Sequence, residues 1–238
     1  MWSGPRNIST AMMRSFANRP DTAVIDEPLY GVYLAATGVD HPGRAEILAA
    51  MPTDWRVVVT GLTGPIPDGR SVFYQKHMAH HLLAEIDRAW LGSLRHAFLI
   101  RRPAAMLASY WRTRGEVTLT DTGLPQQLRL FEEMAGTTGT TPPVVDAADV
   151  LRDPEGMLRR LCAALGLAFL PAMLAWPPGP RTTDGVWARH WYGAVEASQG
   201  FAPYRAEDAD LPPALADLAE ECEGYYRQLH AHRLHAQA

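Results

Sequence analysis

Lysine is almost missing from this chain. Of 22 basic residues only one, Lys76, is a lysine; the rest are arginine. With it goes the usual phosphate-loop signature, because no Gly-Lys-Ser/Thr occurs anywhere in the 238 residues. Cysteine is also scarce. Cys162 and Cys222 stand far apart without metal-ligand spacing, which excludes a disulfide scaffold and fits buried thiols in a reducing compartment. No apolar run reaches the length that spans a bilayer, and the start of the chain has no signal-peptide apolar region. The expectation is a cytoplasmic protein without a membrane partner. An excess of positive charge is absent too. The formal net charge of −4 excludes a nucleic-acid protein working through bulk positive potential, while leaving room for a local basic pocket.

What is present is an ordinary globular composition, 47% hydrophobic and 20% charged, in a chain long enough for one large domain. Short apolar runs alternate with amphipathic segments. Strands are expected at 22–25, 56–60, 71–74, 96–100 and 143–146. Helices are expected at 9–18, 79–92, 103–112, 123–135, 153–165 and 214–230. Pro103 suits a first helical position, and Gly166 a helix stop. This order predicts an α/β fold with three layers, a central mainly parallel sheet flanked by helices. One strand should precede Trp2, where only Met1 stands; either it is unusually short or the native chain begins upstream. In such sheets ligands sit beyond the carboxyl ends of the strands. The clusters WSGPRNIST, DEPLY, QKH and LIRRP all fall there.

The chemistry of these clusters is that of anion binding. Gly4 permits a tight turn, and Asn7, Ser9 and Thr10 would open a helix whose backbone N–H groups favour an anion. Arg6 supplies a fixed positive charge where the loop lysine is missing. Alone, the same loop is also a plain capped helix start. Further on, Arg101 closes a strand and Ser109 follows eight residues later inside the next helix, within reach of one anion. The alternative for this pair is a strand–helix junction with a surface arginine and a packing serine.

Taken together, GPRNIST resembles the 5′-phosphosulfate loop of the sulfotransferases, and LIRRPAAMLASYW resembles their 3′-phosphate motif. DAADVLRDPEGMLRRLCAALGLAF is similar to the strand–helix segment between that motif and the C-terminal loop. RTTDGVWARHWY is a looser match to the loop that closes over the nucleotide. DEPLY and YQKHMAHH look like those of the bacterial sulfotransferase-like branch. Order and spacing agree from Trp2 to about Phe201. The resemblance implies a P-loop-like fold over one domain, 1–238, with the closing module and last helix within 181–230. It implies 3′-phosphoadenosine 5′-phosphosulfate (PAPS) as donor, no required metal, and a small-molecule hydroxyl or amine as acceptor. It assigns Gly4, Pro5, Arg6, Asn7, Ile8, Ser9 and Thr10 to the phosphosulfate, Arg101 and Ser109 to the 3′-phosphate, with Arg181 beside them, and Trp187 to the nucleotide. The tryptophan common after the loop is Ala11 here, so the adenine-stacking residue is unassigned.

Sulfuryl transfer requires an acceptor proton to be removed and charge on the departing phosphate to be neutralised. Arg6 and the loop amides suit the second task, with Lys76 as an aid. Two side chains compete for the first. Glu27, in a segment resembling the Glu-Pro-Leu of carbohydrate sulfotransferases, is placed ahead of His77. His77 titrates in a suitable range, but it neighbours Lys76, and adjacent strand residues face opposite ways. His77, His80 and His81 also have the spacing of a helical metal site; packing or substrate contact is preferred. Trp187, Trp191 and Tyr192 either line an acceptor pocket or pack the last module. The competing functions are a kinase, which would need a loop lysine and a Mg²⁺-binding aspartate, and an inactive nucleotide-binding module.

Overall fold

The computed structural model describes residues 1–205 and 211–235. Five strands, β1 (Trp2–Ser3), β2 (Thr22–Asp26), β3 (Val72–Met78), β4 (Phe98–Ile100) and β5 (Val144–Asp146), form one sheet in the order β2-β3-β1-β4-β5. Every pairing is parallel, and helices cover both faces, the α/β architecture the sequence pattern requires.

The strand expected ahead of the loop is β1, which lies at the sheet's centre; the Trp2 amide donates to Ala97 O and the His77 amide to Met1 O. Side chains alternate across the sheet. Phe98 and Ile100 pack with Leu29, Phe131 and Leu229 on one face. Leu99 packs with Met12, Phe16 and Leu161 on the other.

The helices follow in chain order as α1 (Ser9–Ala17), α2 (Tyr30–Thr37), α3 (Arg44–Ala50), α4 (Trp55–Thr63), α5 (Pro103–Arg114), α6 (Leu119–Thr122), α7 (Leu124–Thr138), α8 (Ala147–Arg152), α9 (Pro154–Ala164), α10 (Ala188–Trp191), α11 (Gly193–Glu196) and α12 (Ala216–His230). The start of the expected helix at 9–18 and the proline start of α5 are observed. Gly166 has φ +66°, as a helix stop requires.

Two elements differ from expectation. Residues 56–60 are not a strand but part of α4, opened by Asp54, whose carboxylate accepts from the Arg56 amide. The valine run imitates a buried strand, yet only Val58 and Leu62 are buried, four residues apart, while Val57 is 57% exposed. Residues 79–92 are not one helix. They hold two 3₁₀ turns, Ala79–His81 and Ala89–Ser93. β3 extends to Met78 and uses the residues that would have begun the helix. Leu82, Ile86 and Trp90 nevertheless face the core at helix-like spacing.

Candidate active site

The carboxyl ends of the strands open into a cavity of about 360 Å³. Its floor is the loop from Pro5 to Thr10. Asn7 fixes that loop by donating Nδ2 to Leu99 O on β4, while its Oδ1 accepts the Ile8 amide. Gln127 of α7 donates to both Trp2 O and Leu99 O, clasping β1 and β4 just behind the loop. Gly4 is required by close approach, since a Cβ there would lie 2.4 Å from Thr122 O. It sits under the loop rather than on the cavity wall. Arg6 has φ +53°, an uncommon left-handed conformation for a side-chain-bearing residue.

This conformation brings the two anion motifs together. The Arg6 Nε donates to Ser109 Oγ at 3.0 Å, and Arg101 Nη1 donates to Arg6 O at 2.6 Å. Burial lowers the Arg6 pKa, and the like charges of Arg101 and Arg112 push the same way. Arginines crowded like this favour a bound anion. Trp187 lines the cavity, whereas Arg181 does not. The Arg181 guanidinium instead donates to Pro177 O, and its backbone amide donates to Asp184 Oδ2.

The opposite wall carries an ion cluster at the ends of β2 and β3. Their register pairs Asp26 with Lys76. Lys76, 1% exposed, donates Nζ to Asp26 Oδ1 at 2.8 Å, to Tyr192 Oη at 2.9 Å, and to Glu27 Oε1. An ammonium has three donors, and these three acceptors use them all. Lys76 thus acts on the carboxylates and, in this arrangement, keeps no donor for a phosphate oxygen. Tyr192 donates to Asp26 Oδ2 at 2.6 Å, and Trp187 Nε1 lies 3.3 Å from Tyr192 Oη. Burial opposes the Lys76 charge, but Asp26 and Glu27 outweigh it and hold the ammonium well above its ordinary range. Burial raises the Glu27 carboxyl, against Lys76 and with Asp26. Glu27 also has a positive φ, +42°, which turns the chain at the strand end so that its side chain meets the cavity.

His77 is turned away. It stacks on Trp2 at 4.3 Å between ring centroids and pairs with Gln75 across 3.2 Å, behind the sheet. Strand alternation sends Lys76 into the cavity and His77 out of it, and burial lowers the His77 pKa far below the usual range. The imidazole nearest the reacting end is His81, whose Nδ1 stands 3.8 Å from Glu27 Oε2. It stacks between Tyr30 and Tyr33. His77, His80 and His81 do not share a helix face, because β3 runs through His77 and only the other two lie in the turn. Asp26, His81 and Tyr192 carry little signal in isolation. Their adjacency to DEP, QKH and the aromatic module was the available clue.

The segment after Arg181 folds over the cavity. Asp184 forms a buried ion pair with Arg14 of α1 at 2.7 Å, and the Gly185 amide reaches Asp26 Oδ2 at 3.4 Å. Trp191, Tyr192 and Val195 complete the roof. Trp187 and Tyr192 both line the cavity and pack against Tyr30 and Tyr33, so packing and cavity lining coincide in these two side chains.

The loop from Pro5 to Thr10 follows the central strand β1 and faces the buried Glu27 and Lys76 across the cavity. The chain belongs to the sulfotransferase domain family, which it matches over residues 1–232. Two Arabidopsis thaliana proteins are similar to it. Branched-chain-amino-acid aminotransferase-like protein 2 is 35% identical over 234 residues, 98% of this chain and 41% of that one. Branched-chain-amino-acid aminotransferase-like protein 1 is 36% identical over 235 residues, 99% of this chain and 42% of that one. The chain therefore spans about two fifths of the length of these curated relatives. Among solved structures, the sulfotransferase domain of the Synechococcus PCC 7002 olefin synthase shares the fold, with a TM-score of 0.54, 17% identity and 92% of each chain covered.

Proposed function

We propose that this chain is a PAPS-dependent sulfotransferase acting on a hydroxyl or amine of a small molecule. The observation that carries the reading is the convergence of Arg6, Ser109 and Arg101. Two motifs about a hundred residues apart in sequence meet through contacts of 3.0 and 2.6 Å. The donor contributes the sulfuryl group and a phosphate leaving group. The loop amides and Arg6 bind the phosphosulfate, while Arg101 and Ser109 bind the 3′-phosphate. These donors suit a ligand rich in anionic oxygens.

Glu27 receives the acceptor's proton at Oε2, because Lys76 occupies Oε1. A carboxyl raised by burial is a stronger base than a solvated one, which suits proton abstraction near neutral pH. Arg6 and the loop amides neutralise the charge that develops on the departing phosphate oxygen. Lys76, held by Asp26 and Tyr192, keeps Glu27 in place.

The kinase reading is less well supported. Asp26, the strand-end acid it would use, has Oδ1 bound to Lys76 and Oδ2 bound to Tyr192. Among the described residues no helix is long and apolar enough to cross a membrane, and we take the working location to be the cytoplasm. Hydrogen–deuterium exchange with the product nucleotide, 3′-phosphoadenosine 5′-phosphate (PAP), tests the donor site. Protection of residues 4–10 and 101–109 is expected. Protection elsewhere, or the same pattern with ATP–Mg²⁺, would overturn the assignment.

A further inference from the structure

Helix α5 carries two basic faces. Ser109 and Arg112 are three residues apart and share the side toward Arg6. Tyr110 and Arg114, four apart, share the next. Arg114 lines the same cavity, but its charge bears on Tyr30, Tyr33, Tyr110 and His41, not on Arg6. It belongs to the Glu27 side of the cavity, away from the nucleotide loop.

Arg114 is half-buried, and its Nη2 donates to Asp40 O at 3.0 Å. No carboxylate among the described residues lies within ion-pair distance of it. Asp121 bears on the same wall, but its carboxylate accepts from the amide and hydroxyl of Thr118 in a helix cap. Between Glu27 and Arg114 the wall is Tyr30 and His41, joined Oη to Nδ1 at 2.8 Å. Burial lowers the pKa of His41 to about 4, with Arg114 adding to the effect, so this imidazole brings no charge at neutral pH. Tyr30 stacks on His81 and meets Trp187 edge-on. The path is thus aromatic and uncharged, with a carboxylate base at one end and a guanidinium at the other.

Resting on the sulfotransferase reading, we propose that the acceptor is a hydroxy or amino acid in the broad sense, a molecule whose carboxylate binds Arg114 while its nucleophilic group meets Glu27. An apolar, preferably aromatic, spacer joins the two groups. A carboxylate is favoured over a phosphate ester because one guanidinium balances one negative charge, and Asp121 and Glu27 stand nearby to repel a second. Arg114 is a specificity-determining residue in this scheme. It orients the acceptor, and a planar fork suits a carboxylate bidentately.

The test pairs acids with their primary amides. The full chain, with and without saturating PAP, is titrated with 4-hydroxyphenylacetate, 3-(4-hydroxyphenyl)propionate and the two matching amides, followed by ligand-observed NMR. Each acid is expected to bind roughly tenfold or more tightly than its amide, the effect of a charge-assisted hydrogen bond. Arg114→Met should erase that preference, Arg114→Lys should keep part of it, and both variants should bind PAP as the parent does. Equal binding of acid and amide, no binding of either acid, or a preference that survives Arg114→Met would overturn the proposal. A failure of PAP to bind would instead strike the donor reading, and the titrations without PAP would still decide the role of Arg114.

Discussion

Replacing Lys76 by methionine removes the cation of the Asp26, Glu27 and Tyr192 cluster. Methionine keeps the length of the side chain and removes the charge that joins Asp26, Glu27 and Tyr192. Two buried carboxylates then face one another without a cation. Removing one partner of a buried ion pair costs about 3–5 kcal/mol. For a chain of this size each kcal/mol lowers Tm by roughly 2–4 °C, so the loss should be about 6–20 °C. The loss should also depend on pH. Burial raises the folded-state pKa of Glu27 above its ordinary value, with Lys76 opposing. A group that holds its proton more tightly when folded favours the folded state at low pH, and loses that contribution as pH rises through the raised value. Without Lys76 the opposing charge is gone and the effect grows. Thermal unfolding of the parent and Lys76→Met at about pH 5 and about pH 8 should show the larger deficit at the higher pH. A Tm within about 2 °C of the parent at both values, less than 1 kcal/mol on this scale, would refute the cluster as described.

Other consequences are separable. Glu27→Gln should reduce sulfuryl transfer by about 10²–10⁴-fold, the range for a lost general base, while PAP affinity holds. His77→Gln should leave both PAP affinity and transfer near the parent, losing the stacking on Trp2, worth about 0.5–1.5 kcal/mol of stability, and altering the contact with Gln75; a transfer defect like that of Glu27→Gln would contradict the side-chain directions on β3. Tyr192→Phe removes the hydroxyl that binds Asp26, Lys76 and Trp187. It should cost about 1–3 kcal/mol in denaturant unfolding. Arg14→Met should strand Asp184 and loosen the roof, with a loss of about 3–5 kcal/mol and faster exchange of the 184–187 amides.

Much of the fold was legible because apolar periodicity records burial. Leu99 and its neighbours Phe98 and Ile100 read as a buried strand and are one. The same signal misled at 56–60, where three valines lie on an amphipathic helix and only Val58 among them is buried. It misled again at 79–92, where core-facing residues recur at helical spacing without a helix. At the site, Arg6, Arg101 and Ser109 were readable as motif residues because each has a distinctive neighbour in sequence. The tether between Lys76 and Tyr192 was not, since it joins residues separated by 116 positions. The conflict between Glu27 and His77 was stated by the sequence and needed side-chain direction to resolve geometrically. Arg114 gave no local signal. Its interest arises only when α5 is seen to divide the cavity, with Arg112 toward Arg6 and Arg114 toward Tyr30 and His41.

Metal-free calorimetry reads donor binding without further assumptions. PAP, 5′-AMP and ATP–Mg²⁺ are titrated into the parent chain and Arg101→Ala. PAP should bind most tightly, without divalent metal, and Arg101→Ala should weaken PAP by about 10- to 150-fold, the worth of a hydrogen bond to a charged group, with little change for 5′-AMP. Tighter binding of ATP–Mg²⁺ than of PAP, or equal binding of PAP and 5′-AMP, would contradict the donor assignment.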